Sequence, residues 1–252
     1  MSERYPRTVP VYRRVTAAVA AVAFSFGTVS CAETAPSPES TQADSCVYHD
    51  DGEHITISLE EVRHCLGSLA VRDKAPKTGY TREQFGSWRT KDGCTTRETI
   101  LIRDLTDEVV DPGNCSIISG TFDDHYTAEN EGEHVTKTSV SDIQIDHVVA
   151  LSDAWQSGAG AKDYSKDRRR SLANDPLNLQ ATSGANNRDK SDKDAFDWLP
   201  PHASRGELCN YDTEQVLVKY KYSLSVRPEE HKQMEQVFDD DCSKDQLIVI
   251  PN

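Results

Sequence analysis

The sequence predicts an α+β fold, in which helices dominate both ends of the folded part and strands occupy its middle. Two observations lead to this prediction. Capping boxes precede helical patterns of apolar residues, and apolar residues alternate with polar ones between residues 115 and 149. No internal repeat is present. Flanking helices around a small antiparallel sheet are therefore expected, with disulfides as a further source of stability.

The N-terminus has the pattern of an export signal. Within residues 1–31, arginines precede an apolar stretch of about the length that signal peptides use. Cys31 ends this stretch in a context that resembles a bacterial lipobox, which predicts a lipidated cysteine; cleavage by an ordinary signal peptidase after Ala32 is the alternative. Residues 32–45 are small, polar and rich in Pro, and they predict a flexible tether. The protein is thus expected to be secreted or anchored on the outer face of the cell membrane.

The cysteine count bears on both lipidation and disulfides. The chain has seven cysteines, an odd number for an exported protein, and lipidation of Cys31 would leave an even six. No C-x-x-C pair is present, which disfavours a zinc ribbon. Export permits disulfides, and we predict pairing between neighbours along the chain. The predicted disulfides are Cys46 with Cys65, Cys94 with Cys115, and Cys209 with Cys242.

Elements before residue 140 are predicted from caps and alternation. Ser58 opens a capping box, so a helix is expected near residues 59–70. A short helix is predicted after Thr81. A second capping box, at Thr95 and Glu98, predicts a helix to about Leu105. The predicted strands in this part are 115–122 and 126–138.

The second half alternates short strands and helices. A strand is expected within residues 139–149, where Ile143 and Ile145 alternate with polar neighbours. The next predicted elements are a basic helix over 163–173, a strand over 177–181, a helix from Ser183 to about Leu199, and helices over 212–223 and 228–239.

Four polar residues in this second half form a pattern that can carry chemistry. Asp146 and His147 end one strand, Asn178 begins the next strand, and Asn187 lies in the helix that follows. Carboxylate and carboxamide oxygens suit Mg²⁺ or Mn²⁺, which keep several waters. A neutral histidine beside such a cation is a candidate general base. A cation with a nearby base serves phosphodiester hydrolysis.

These residues resemble the HNH, or ββα-metal, endonuclease motif. The segment NRDKSD at 187–192 is similar to the same part of the HNH domain of CRISPR effector nucleases. The wider run, including IDHVVALSDAW at 145–155 and ANDPLNL at 173–179, resembles a family of secreted bacterial HNH endonucleases related to the nuclease portion of GmrSD-type restriction enzymes. The resemblance implies an HNH domain over 75–252, with its ββα core at about 140–200, after an N-terminal extension at 46–74.

The resemblance also implies a role for each residue. Asp146 would bind the metal, and His147 would deprotonate water. Asn178 would hydrogen-bond the loop and keep His147 oriented. Asn187 would be the second metal ligand, at a place where many HNH enzymes carry His, and its hard oxygen favours Mg²⁺.

The basic residues and the asparagines have alternative interpretations. Lys190 and Arg188 would contact substrate phosphate, although Lys190 could instead be a solvated charge on a polar helix. The basic run at 166–170 could face DNA or solvent. Asn178 and Asn187 could be turn and cap residues.

Net charge limits the kind of substrate binding. A net charge of -14 excludes binding of nucleic acid through an overall positive charge of the protein. The sequence therefore predicts a monomeric nuclease with little sequence specificity, acting on DNA or, alternatively, RNA, and with no protein partner. It would meet a membrane only through a lipid anchor, because no apolar run reaches the roughly 18 residues of a span. The competing hypothesis is a non-catalytic envelope lipoprotein that binds a partner or a cation.

Overall fold

The computed structural model describes residues 45–127, 133–136 and 139–252. The predicted export signal at 1–31, with Cys31, lies outside the described residues, as does the predicted tether up to residue 44. Within the part that is described, no helix combines the length and the apolar character needed to cross a bilayer.

Seven α-helices are interspersed with strands in the described residues. The helices are α1 (Leu59–Ser68), α2 (Thr96–Asp104), α3 (Leu151–Ala154), α4 (Lys166–Leu172), α5 (Gly184–Lys190), α6 (Arg205–Lys221) and α7 (Pro228–Asp240). The strands are β1 (His49–Asp50), β2 (His54–Ser58), β3 (Ala70–Val71), β4 (Thr90–Lys91), β5 (Cys94–Thr95), β6 (Leu105–Val110), β7 (Ile117–Phe122), β8 (Glu133–Thr136), β9 (Ile143–His147), β10 (Leu179–Ser183), β11 (Ser225–Val226) and β12 (Leu247–Pro251). Mixed helices and small sheets agree with the α+β prediction.

The N-terminal part of the described chain packs into the same core as the rest. β2 pairs antiparallel with β12, with Ile55 opposite Ile250. A strand near the start of the described chain therefore lies beside its last strand. α1 begins where Ser58 Oγ accepts the N–H of Glu61 at 3.2 Å, as its capping box predicts. Its apolar face packs on α6 and α7. The extension at 46–74 therefore buries apolar surface against the domain that follows it.

The middle of the chain forms antiparallel sheets. β6, β7 and β8 form one sheet, and among the described strands β9 pairs with β10 alone. The capping box of Thr95 and Glu98 is present, and α2 follows it. The sequence prediction missed β6, which has charged residues at Asp107 and Glu108 and a register shift beside Val109. Of the strand predicted over 126–138, the described residues show strand at 133–136 alone.

One predicted helix is much shorter in the structure. The helix expected from Ser183 to Leu199 ends at Lys190, and Ser191 takes a positive φ of 53°. The Asp194 carboxylate then accepts the backbone N–H of Phe196 and of Asp197, each at 3.0 Å, which closes a turn instead of continuing the helix. The prediction was wrong here because tertiary contacts of Asp194 override local helix propensity.

The three disulfides join the pairs that the sequence analysis favoured. Cys46 is bonded to Cys65, Cys94 to Cys115, and Cys209 to Cys242. The first ties the start of the described chain to α1, and the last ties α6 to the end of α7. Each bridge joins two cysteines that are consecutive along the chain.

Candidate active site

A strand–strand–helix unit positions the polar residues singled out in the sequence. β9 and β10 pair antiparallel, with Asp146 opposite Gln180 and His147 opposite Leu179. α5 follows β10 at once, because Ser183 Oγ caps it by accepting the N–H of Asn186 at 3.2 Å. Asp146, His147 and Asn187 thereby line one cavity of about 140 Å³, hereafter the polar cleft.

Asp146 is almost completely buried, and one of its carboxylate oxygens is paired. Its carboxylate Oδ2 accepts a hydrogen bond from the Tyr126 hydroxyl at 2.9 Å and lies 2.8 Å from the ammonium of Lys190. Burial of a carboxylate is tolerated when it is paired and hydrogen-bonded. These two donors fix the direction of the carboxylate at the end of β9.

His147 is held as a neutral imidazole. Its Nε2 lies 3.1 Å from the carbonyl oxygen of Ala173. A carbonyl can only accept, so Nε2 carries the proton and the lone pair is on Nδ1. Burial lowers the pKa of His147 to about 3, and the positive charges of Arg82 and Lys190 act in the same direction. The ring is therefore in its basic form at neutral pH.

Asn178 joins the loop after β9 to the start of β10. Its Oδ1 accepts the N–H of Val149 at 2.7 Å, and its Nδ2 donates to the carbonyl of Leu172 at 3.3 Å. The backbone carbonyl of Asn178 also accepts the N–H of Val148 at 3.0 Å. The fully buried side chain thus fixes the backbone that directly follows His147.

Asn187 lies on the side of α5 that faces β9. Its Nδ2 donates to Oε1 of Gln144 at 2.8 Å. With the amide nitrogen used in this way, Oδ1 is the atom of Asn187 that a cation could bind. Asp146 and Asn187 therefore bring one carboxylate and one amide oxygen to the polar cleft.

Comparison with known proteins places the chain in a family. A family described as "GmrSD restriction endonucleases, C-terminal domain" matches residues 95–237, which include the whole of β9, β10 and α5. The chain belongs to this family. Membership indicates a nuclease-related function.

A relative of this GmrSD C-terminal domain protein comes from a fungus. It is named "Uncharacterized secreted protein", from Arthroderma benhamiae (strain ATCC MYA-4681 / CBS 112371), and is 40% identical over 172 residues, which cover 67% of this chain and 79% of the relative. Similar chains are therefore not confined to bacteria. No solved structure matches the chain.

Lys190 does not take the position expected of a phosphate ligand in this GmrSD C-terminal domain. Its side chain is 0% exposed, and its ammonium donates to the carbonyl of His147 at 2.7 Å besides pairing with Asp146. An ammonium enclosed in this way is not accessible to a substrate phosphate. The expected phosphate contact of Lys190 is therefore replaced by its contacts with Asp146 and the carbonyl of His147. Arg188, on the same helix, is exposed.

Two residues beside the site carry no signal in the sequence. Tyr126 lies in the loop after β7 and reaches Asp146 from outside the strand–strand–helix unit. Arg82 begins the short 3₁₀ helix at Arg82–Phe85, and it is exposed at the rim of the polar cleft. The short helix after Thr81 was predicted, but no spacing in the sequence linked it to His147.

The donor set decides which cation the polar cleft suits. Among the described residues, no group of three or more His, Cys, Asp or Glu side chains is placed to hold a metal. Zinc sites typically need such a group, whereas Mg²⁺ binds through one or two protein oxygens and keeps several waters. Asp146 and Asn187 fit the second kind of site.

Proposed function

We propose that the protein is an exported, metal-dependent endonuclease of the HNH type that hydrolyses phosphodiester bonds in DNA with little sequence specificity. The observation that carries the proposal is the neutral His147, which lies in one cleft with Asp146 and Asn187 on a strand–strand–helix unit. Family membership, which indicates a nuclease, supports the same reaction class.

His147 supplies the base in this proposal. The lone pair on Nδ1 takes a proton from a water molecule, whose oxygen forms a bond to phosphorus while the opposite P–O bond breaks. The leaving oxygen takes its proton from solvent. The hydrogen bond from Nε2 to Ala173 holds the ring in the required tautomer through the transfer.

Asp146 and Asn187 would hold Mg²⁺ or Mn²⁺ in the polar cleft. When bound, the cation supplies positive charge for the phosphate and the leaving oxygen. Tyr126 and Lys190 aim the Asp146 carboxylate, and Gln144 aims the Asn187 amide. Such outer partners fix ligand direction and commonly matter for metal affinity.

Exposed arginines would bind the substrate phosphate. Arg82 lies at the rim of the polar cleft, close enough to influence the pKa of His147. We assign it the phosphate contact first expected of Lys190, and Arg188 is a second cation on the exposed side of α5. Two surface arginines in a protein of net charge -14 imply weak, salt-sensitive binding.

The relative and the disulfides support the proposed export. The relative is named a secreted protein, and three disulfides suit an oxidising location. Lipidation of Cys31 would add membrane anchoring to a protein that otherwise acts as a monomer. Replacing Cys31 with Ala should then release the protein from the membrane fraction, and its presence wholly in the medium before replacement would contradict lipidation.

Cleavage of supercoiled plasmid tests the proposed reaction. Purified residues 46–252 should convert plasmid to nicked or linear forms with Mg²⁺, and EDTA should stop the conversion. The Asp146→Ala variant is the matched control for contaminating nuclease. Lack of cleavage of plasmid, of single-stranded DNA and of RNA at any Mg²⁺ or Mn²⁺ concentration would favour the non-catalytic hypothesis.

A further inference from the structure

His147 lies where two recesses of different character meet. One is the polar cleft, and the other is a cavity of about 250 Å³ with mostly apolar walls, hereafter the apolar recess. The two share Arg82, His147 and Leu151. The walls that belong to the apolar recess alone include Ser87, Trp88 and Ala173.

The apolar recess differs in charge from the protein as a whole. None of the described residues that line it carries a carboxylate, although the chain has 42 Asp and Glu in total. Arg82 places a guanidinium at its edge. The recess therefore suits a ligand that combines an apolar, planar body with a nearby negative charge.

The wall formed by residues 82–88 is fixed before any ligand arrives. Arg169 Nε donates to the carbonyl of Gln84 at 3.1 Å, and the N–H of Arg89 donates to Oδ1 of Asn174 at 2.7 Å. Between them Gly86 has a φ of +72°, and a Cβ there would lie 3.3 Å from the side chain of Arg170. A preformed recess binds without the entropy cost of ordering a loop.

Trp88 places an indole ring in the wall of the recess. It is half-buried, and it packs against the cluster of apolar residues around β9 and β10 while it lines the recess. Indole rings bind nucleobases by stacking, and they do so with little regard to sequence because every base has a π-face. This matches an enzyme with little sequence specificity.

We infer that the apolar recess holds one unpaired nucleoside next to the cleaved phosphate, so that the substrate is single-stranded nucleic acid. The inference rests on the proposed nuclease function. A phosphate placed between Arg82 and His147 carries a nucleoside on its ester oxygen, and the recess begins at the same two residues. In a duplex that base is stacked and paired, and it enters a pocket only if it is first turned out of the helix.

Filling the recess tests the inference. Ser87 is exposed and lines the recess, so Ser87→Phe would occupy it, whereas Thr90→Phe adds a similar ring on exposed β4 outside it. Wild-type protein should cleave a labelled single strand about tenfold or more faster, in kcat/KM, than the same strand in a duplex. Ser87→Phe should lower the single-strand rate and remove most of that preference, and Thr90→Phe should change neither rate.

Two results would overturn the inference while leaving the nuclease proposal intact. One is equal cleavage of both substrates by wild-type protein, and the other is an equal loss on both substrates in Ser87→Phe. Binding of the labelled single strand in EDTA, measured by fluorescence anisotropy, separates the two proposals. Binding weakened by Ser87→Phe without any cleavage would support the recess and reject the nuclease, whereas binding that ignores Ser87→Phe would reject the recess.

Discussion

The strand–strand–helix unit at residues 143–190 and the frame around it are stabilised in different ways. The frame consists of α1, α6 and α7 with β2 and β12. All three disulfides lie outside residues 143–190. The unit depends on single hydrogen bonds from buried side chains, such as those of Asn178.

Two buried lysines differ in the number of carboxylates that neutralise them. Lys219 in the frame lies 2.8 Å from each of two carboxylates, Asp153 and Glu230. Lys190 in the unit has one carboxylate, Asp146, and one backbone carbonyl. Asp153 belongs to residues 143–190, so the ion pairs of Lys219 join the frame to the unit. Lys190 instead pairs within the unit, with the carboxylate that is proposed to bind a cation. Substitutions in the frame should lower stability alone, whereas substitutions of buried site residues in the unit should lower activity and, where they break a buried ion pair, stability as well.

Replacing Lys190 should give the largest change. Lys190→Met leaves Asp146 buried without its cation, and breaking a buried pair in this way typically costs about 3–5 kcal/mol in the free energy of unfolding. Activity should be lost as well, because the same ammonium holds the carbonyl of His147. Urea unfolding checks stability, and Arg188→Met, on the exposed side of the same helix, is the matched control.

A double variant sharpens this prediction. Asp146→Asn together with Lys190→Met removes both charges, so the double variant should recover much of the lost stability while remaining inactive. A double variant no more stable than Lys190→Met would show that the ion pair is not the cause.

Removing the frame disulfide between Cys209 and Cys242 should lower stability without lowering activity. The double replacement by Ser should lower the free energy of unfolding by about 2–4 kcal/mol. The rate of cleavage well below the melting temperature should stay within about twofold, since neither cysteine contacts the polar cleft. A large loss of activity in folded protein would break the proposed division between frame and unit.

Acid should lower stability by a smaller amount through Asp194, which follows the unit and binds Arg227 at the start of α7. Arg227 and Lys74 lie 2.6 Å and 2.7 Å from its carboxylate and, against the effect of burial, hold the pKa of Asp194 below its usual value. A lowered pKa adds stability above the unfolded pKa of about 3.9, and this stability is lost as the pH falls through the folded pKa. Asp194→Asn should cost roughly 1.5–3 kcal/mol at neutral pH.

The pH dependence is the check on this assignment. The difference in stability between wild type and Asp194→Asn should shrink as the pH falls below about 4, where the Asp194 carboxyl of the unfolded chain begins to take up its proton while the folded one keeps its charge. A difference that stays constant from neutral to acid pH would rule out the ion pairs of Asp194 as its origin.

Local signals explain which parts of the fold the sequence predicted. The capping boxes at Ser58 and Thr95 need only residues within one turn, and both helices begin there. Pairing of β2 with β12 joins residues at opposite ends of the domain, so no local pattern shows it. The early end of α5 depends on Arg227, which binds Asp194 from a distant part of the chain.

The candidate site shows the same difference between local signals in the sequence and contacts that need the tertiary structure. The sequence could suggest that Asp146, His147 and Asn187 lie together, because their spacing follows one strand–strand–helix unit; their roles stay predictions. Arg82 and Tyr126 were not found, since only tertiary structure brings them to that unit. Lys190 was misplaced for a related reason: lysine is usually exposed, and its burial depends on partners that the sequence alone does not reveal.

The most direct test of the account is a paired measurement on His147→Ala. Cleavage of plasmid and melting temperature are measured on the same preparation, at several Mg²⁺ concentrations. Loss of the base should lower kcat about 10²–10⁴-fold with little change in substrate binding, and the frame should keep the melting temperature within a few degrees of wild type. Cleavage at the wild-type rate, or recovery of activity with extra Mg²⁺, would contradict the role of His147 as the base.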